Sequence, residues 1–360
     1  MRMFGSVDRR EVLTGLGCSG LILAGSPGRA LAQPADRRRD WAWLEGNWRV
    51  EHRRLRRRLA RDTHWDRFAG TSAMWLTLDG LGTIDDNLLH LPGGDYRAMG
   101  IRAYDPATGR WSIWWLDGRN PTRIDPPVLG RFEGETGTFT GADMFEGRPI
   151  DVRFHWQGIR GPRPHWQQSF SPDGGATWEM NWENFFTRTS AAPTPLPLLP
   201  RGDAARAPDD WGFLAGRWKV HHRKLRRRLA GSRDWDEFGG TFVNWPVLGG
   251  NGNVGDNLMQ APSGTFRGVG FRAWDPATRE WLSWWLDGRD PSRIGQPLRG
   301  RFVDGIGTYL SDDVHEGRPV KTRVTWSRIT GKTARWEQAF SADGGQSWEV
   351  NWTSDFTRIA

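Results

Sequence analysis

The stretch Tyr96-Arg-Ala-Met-Gly-Ile-Arg-Ala-Tyr104-Asp-Pro-Ala-Thr-Gly109-Arg-Trp111-Ser-Ile-Trp-Trp-Leu-Asp117 decides the fold class. Two runs rich in β-formers flank Asp105-Pro-Ala-Thr-Gly109, whose Asp, Pro and Gly are turn residues, so the stretch reads as an antiparallel hairpin. The turn fixes the register, with Tyr104 opposite Trp111, Arg102 opposite Ile113, Gly100 opposite Trp115 and Ala98 opposite Asp117. Alternation then puts Tyr104, Arg102, Trp111, Trp115 and Asp117 on one face and Met99, Ile101, Trp114 and Leu116 on the other. The apolar face is expected to be core. The mixed face suits either a cavity wall, where aromatic surface carries a few polar groups, or an outer face with an exposed Arg–Asp pair.

The hairpin occurs twice. Shifting the 360-residue chain by 170 positions aligns residues 41–188 with 211–358 without a gap, at roughly half identical positions, which is the mark of a duplication. Eleven of the 24 Trp recur as Trp in the second copy. The copied hairpin face carries Trp274, Arg272, Trp281, Trp285 and Asp287 against Val269, Phe271, Trp284 and Leu286. Between the copies, residues 189–210 include Pro193, Pro195, Pro197 and Pro200, the composition of a semi-rigid spacer. Glycine punctuates each unit at short intervals and no long stretch has a helical period, so each unit is expected to be a closed or nearly closed antiparallel barrel, with a β-sandwich as the alternative.

The opening Trp43-Leu-Glu-Gly-Asn-Trp48, the middle Arg102-Ala-Tyr-Asp-Pro106 with Trp111 and Trp114-Trp115, and the closing Ser171-Pro-Asp-Gly-Gly-Ala-Thr-Trp178-Glu-Met-Asn-Trp182 resemble a bacterial lipocalin-like domain family of unknown function. The resemblance covers nearly all of both units. It implies all-β architecture, namely two tandem lipocalin-like antiparallel β-barrels, each with an internal cavity, joined by a Pro-rich linker. Haem-binding nitrobindin-type barrels and tandem lipocalin-like cyclases are looser resemblances. The resemblance leaves the activity open.

The first 32 residues read as an address. Arg9-Arg10 precede a weakly apolar, Gly-rich stretch ending at Ala30-Leu-Ala32, which resembles a twin-arginine export signal and implies a periplasmic or secreted protein. The expected organisation is therefore 1–32 signal, 33–188 first barrel, 189–210 linker and 211–360 second barrel. A single Cys excludes a disulfide framework. No run approaches the roughly 20 apolar residues of a spanning helix, so no integral membrane protein is expected.

The candidate site is read from two hairpins. From the first come Arg102, Trp115 and Asp117, and their copies Arg272, Trp285 and Asp287. From the second, pairing Gln168 with Glu179 and Trp166 with Asn181, come Trp166, Gln168, Glu179 and Asn181, with copies Trp336, Gln338, Glu349 and Asn351. Indoles offer stacking surface, and Arg, Asp, Gln, Glu and Asn offer hydrogen bonds. Cross-strand side-chain pairs explain the second set as well. Asp86-Asn87 and Asp256-Asn257 fit either a buried general base or turn caps. Ser171-x-Asp173-x-Gly175-x-x-Trp178 has the Asp-box pattern, most simply a pinned turn.

The formal net charge is +8. Its densest clusters, Arg53–Arg58 and Arg223–Arg228, fit a contact with an anionic surface or a solvated edge that discourages strand pairing. No nucleic-acid motif accompanies them, so no nucleic-acid partner is expected. Only His52 among the histidines recurs, as His222, and no metal-ligand spacing is present, so neither metal nor cofactor is expected. These readings point to an exported protein binding a small aromatic, hydrophobic or anionic molecule. The alternatives are a cyclase- or isomerase-like enzyme without a nucleophile, and a carbohydrate-binding module with exposed Trp platforms. Identical pocket residues in both copies favour two similar sites.

Overall fold

The computed structural model describes residues 36–359. The proposed export signal and Cys18 lie outside them. The chain forms two closed ten-stranded antiparallel barrels, with 3-10 turns as the only helix among the described residues. The first comprises β1 (Gly46–Leu55), β2 (Trp65–Thr77), β3 (Gly82–Leu91), β4 (Gly94–Asp105), β5 (Arg110–Asp117), β6 (Val128–Glu133), β7 (Thr136–Phe145), β8 (Arg148–Gln157), β9 (His165–Ser171) and β10 (Glu179–Ser190). The second repeats it as β11 (Gly216–Leu225), β12 (Trp235–Val247), β13 (Gly252–Ala261), β14 (Gly264–Asp275), β15 (Glu280–Asp287), β16 (Leu298–Val303), β17 (Ile306–His315), β18 (Arg318–Ser327), β19 (Thr333–Ser341) and β20 (Glu349–Arg358). Neighbours in sequence pair throughout, and β1 closes on β10 as β11 closes on β20, which leaves no free sheet edge.

The β4–β5 hairpin has the register its turn dictates, Tyr104 with Trp111 through Ala98 with Asp117. Its mixed face is the inner one. One end of each barrel is plugged by indoles. Trp41, fully buried, packs against Trp111, Phe132, Phe139 and Trp156, and Trp111 Nε1 donates to Asp40 at 2.9 Å. Trp48 Nε1 donates to Leu44 O at 2.7 Å, which ties the Gly-x-Trp opening to the plug. The second barrel repeats both bonds, Trp281 to Asp210 and Trp218 to Leu214.

The apolar face of the hairpin is buried, but not inside a barrel. Ile84, Met99, Ile101, Trp114 and Leu116 point outward from β3–β5 and form one core with Val254, Val269, Phe271, Trp284 and Leu286 from the other barrel. Burial of each such side chain stabilises by about 1.5–3 kcal/mol, so the two outer faces hold the barrels together. Trp75 stacks on Trp245 across this interface, with centroids 5.2 Å apart. Two carboxylates cross it reciprocally. Asp86 accepts the backbone N–H of Leu248 at 2.9 Å, and Asp256 accepts that of Leu78. Leu78 and Leu248 are equivalent residues with positive φ, so each barrel's distorted corner is capped by its twin. Asp86 and Asp256 are therefore caps, and their side chains point away from both interiors. The linker is docked rather than free, with Leu199 N donating to Gly249 O at 2.8 Å and Leu196 and Ala207 buried.

Burial pushes the Asp86 and Asp256 carboxyls up to about 6, against the Leu248 bond at Asp86 and against Arg267, 3.2 Å away, and the Leu78 bond at Asp256. The folded chain thus keeps these protons to higher pH than the unfolded chain. Their contribution to stability is present below pH ~4 and lost as pH rises through about 6. The variant Asp86→Asn/Asp256→Asn is expected to gain stability relative to the wild type as pH rises from 4 to 7, by up to about 3 kcal/mol per site. Calorimetric melts of both proteins at matched pH read this directly, and parallel pH profiles would contradict it.

Candidate functional site

The interior of the first barrel holds a cavity of about 170 Å³. Rings of Trp115, Phe154, Trp166, Phe170 and Trp182 form its walls, and His52, Ser72, Asp85, Asn87, Arg102, Gln168 and Asn184 supply polar groups. Strand alternation places them there. His52 lies on the β1 face shared with Trp48 and Val50, while Asp85 and Asn87 lie on the β3 face opposite Asp86. The wall is thinnest where β5 and β6 pair over three residues only, next to the lining residues Asp125 and Asp143.

The polar groups are ordered around one ion pair. Asp85 Oδ2 lies 2.6 Å from Arg102 Nη1, with 6% and 8% of the two side chains exposed. Asp85 Oδ1 accepts from Gly100 N at 2.8 Å and from Asn87 Nδ2 at 2.7 Å, and Arg102 stacks 4.5 Å above Trp41. Removing either partner would strand a buried charge. Gly100 is required because a Cβ there would sit 2.3 Å from Asp85 Oδ1. His52 Nδ1 lies 2.6 Å from Asn184 Oδ1 and its ring stacks on Phe68. Burial pulls His52 down to about 4, outweighing the bond to Asn184, so the ring is neutral at neutral pH.

Of the residues read from sequence, Arg102, Trp115, Trp166 and Gln168 line this cavity, and three others do not. Asp117 is held by Arg119. Glu179 accepts the Leu59 N–H at 2.7 Å, and Asn181 is buried with Oδ1 accepting from Gln168 at 3.0 Å. The expected register of the second hairpin is wrong. Gln168 faces Trp182, Trp166 faces Asn184 and Glu179 faces Phe170: the pairing is already displaced by two residues on the turn side, at Glu179, and the interruption between Met180 and Trp182 displaces it by one more. A bulge adds one residue to a strand and shifts every pair beyond it. The Asp-box pattern is a turn, with Asp173 bonding Ser171 and Thr177. Sequence reading missed His52, Asp85, Trp182 and Asn184 as lining residues, and singled out Asn87 only beside Asp86. The usable signal for Asp85 is that its counterpart is Gly255.

The second barrel keeps the copied residues and four of the five wall rings, as Trp285, Trp336, Phe340 and Trp352, with Val324 in place of Phe154. Arg272 is buried over Trp211 and bonds Asn253 Oδ1 at 2.7 Å, with no acid in place of Asp85. Ser72 is replaced by Phe242, whose ring lies where a side chain at 255 would project, since a Cβ on Gly255 would meet it at 2.3 Å. Trp285 is 38% exposed and lies against Gly268. Asp287 is held by Arg289, and Glu349 by the Leu229 N–H. Gln338 bonds Asn351 at 2.9 Å, and Trp336 packs edge-on to Trp352. Identity at the copied positions thus coexists with different interiors.

No protein-family model matches the chain, and no curated protein matches it. Among solved structures it is similar to an S-type phycobiliprotein lyase from Guillardia theta at 8% identity, covering 42% of this chain and 90% of that one, with TM-score 0.30. It is also similar to a DUF3598-family protein of unknown function from Nostoc punctiforme at 12% identity, covering 90% and 99%, with TM-score 0.27.

Gly100→Ala is expected to lower stability by about 1–3 kcal/mol, because Asp85 has no room to move. Gly270→Ala is expected to be nearly neutral, since a Cβ there meets Trp285 at 3.7 Å and Arg272 at 3.9 Å, both ordinary contact distances. Denaturant melts of the two variants make the comparison, and equal effects would contradict the role of Asp85.

Proposed function

We propose that the protein is a small-molecule carrier or receptor that binds one ligand per chain, in the cavity of the first barrel, with the second barrel as a filled scaffold. The observation that carries this reading is the paired difference Ser72/Phe242 and Asp85/Gly255, which puts a Phe ring in the second barrel where the first has a hydroxyl and a carboxylate lining its cavity. A cavity of this size, about that of an engineered 150 Å³ site that takes up benzene, suits a one- or two-ring aromatic body. Stacking on Trp115, Trp166 and Trp182 and hydrogen bonds from Gln168 and Asn184 supply affinity and orientation. Export by the twin-arginine route and membership of the lipocalin-like family belong to the same reading.

Divergent interiors also suit a tandem enzyme that keeps one barrel as scaffold. The geometry favours binding over such catalysis, because both Asp85 oxygens are engaged and His52 is neutral with Nδ1 engaged. Carbohydrate platforms require solvent-facing indoles, and only Trp285 among the described Trp is more than one third exposed.

Titration calorimetry with indole is expected to give one site per chain. The triple variant Ser72→Phe/Thr83→Asn/Asp85→Gly gives the first barrel the second's lining at these positions and is expected to weaken binding at least tenfold while keeping the circular dichroism of the wild type. Two sites per chain, or undiminished binding by the folded triple variant, would contradict the reading.

A further inference from the structure

The cluster Arg53–Arg58 is not a uniform basic edge. Arg53 pairs with Glu183 at 3.0 Å, Arg56 with Asp66 at 3.1 Å and Arg57 with Asp62 at 3.6 Å. Arg54 and Arg58 have no carboxylate within ion-pair distance among the described residues. Both are half-buried against rings instead of extending into water. The Arg54 guanidinium lies 5.3 Å from the Trp182 ring and 5.7 Å from Phe68. That of Arg58 lies 4.6 Å from Phe145 and 5.7 Å from Phe170. Trp182 and Phe170 are cavity walls, and Arg54 follows His52 on the inner face of β1. The two cations therefore flank wall rings beyond the end of the cavity away from the Trp41 plug, without lining the cavity themselves.

The acids nearest them are committed elsewhere. Asp66 serves Arg56, Asp117 serves Arg119, and Glu179 serves the Leu59 N–H, while Glu146 is exposed on the β7–β8 turn. Arg102, deeper in, is already neutralised by Asp85. Stacking leaves the edge N–H groups of a guanidinium available, and such a fork matches a carboxylate.

Resting on the first-barrel cavity as the binding site, we infer that the ligand is an aromatic acid whose ring enters the cavity and whose carboxylate is received by Arg54 and Arg58. Exposed Arg runs contribute little to such selectivity, whereas two half-desolvated, unpaired guanidinium groups gain an ion partner only when the ligand arrives. The second barrel carries the same device, with Lys224 4.3 Å from Trp352 and Arg228 5.6 Å from Phe340. There the ring of Phe242 occupies the space beside Gly255 that Ser72 and Asp85 border in the first barrel.

The test compares indole-3-propionate with its uncharged amide by titration calorimetry. The wild type is expected to bind the acid at least tenfold more tightly. Arg54→Gln/Arg58→Gln is expected to erase that preference while leaving the amide's affinity within about twofold. Arg54→Lys/Arg58→Lys is expected to keep part of it, and Lys224→Gln/Arg228→Gln all of it. Equal binding of acid and amide by the wild type, or a preference that survives Arg54→Gln/Arg58→Gln, overturns the inference. Failure of both compounds to bind would instead overturn the cavity reading, and this inference with it.

Discussion

The structure depends on the apolar outer face that each barrel presents on β3–β5 and β13–β15. A closed barrel ordinarily hides its apolar side chains inside and offers water a polar exterior. Here Ile84, Met99, Ile101, Trp114 and Leu116 point out of the wall, and so do Val254, Val269, Phe271, Trp284 and Leu286. Neither set can be left in water, and each covers the other. The contact is isologous in form, the same patch meeting itself across an approximate twofold axis, as in a symmetric dimer fused into one chain. Trp75 on Trp245 and the crossed caps of Asp86 and Asp256 follow from that symmetry.

The shared face stays apolar in both copies, although Ile84, Met99 and Ile101 are Val254, Val269 and Phe271 in the second. Inner positions of β2 and β3 answer only to their own barrel. The second copy therefore carries Phe242 and Gly255 where the first has Ser72 and Asp85 with the interface undisturbed. Asp85 with Arg102 is an ionic centre deep in the open barrel. It needs Gly100 on the facing strand to reach the backbone N–H, and the second barrel, lacking the acid, satisfies Arg272 with Asn253.

The fold was legible because turn chemistry at Asp105-Pro-Ala-Thr-Gly109 fixes a hairpin register and the 170-residue repeat doubles it. What alternation cannot say is which face of a strand is concave. Both faces of β4 and β5 are rich in aromatic or aliphatic side chains, so the face that looked like core became an interface between barrels. The second hairpin failed for two local reasons, a turn that pairs Glu179 with Phe170 and a bulge near Asn181, and they carried Glu179 and Asn181 into the candidate list while Trp182 and Asn184 stayed out of it. Of the candidate site, Arg102, Trp115, Trp166 and Gln168 were readable from face-sharing alone. Asp85 was not, because the neighbouring Asp86 recurs in the repeat and drew attention to a residue that faces the other barrel.

The central claim is that the two barrels share a skeleton and differ in whether a ligand can enter. Diffraction from a crystal soaked with 5-bromoindole, recorded at the bromine edge, tests it most directly. One anomalous peak per chain is expected, inside the first barrel among Trp115, Trp166 and Trp182. Equivalent peaks in both barrels, or a single peak inside the second, would contradict it.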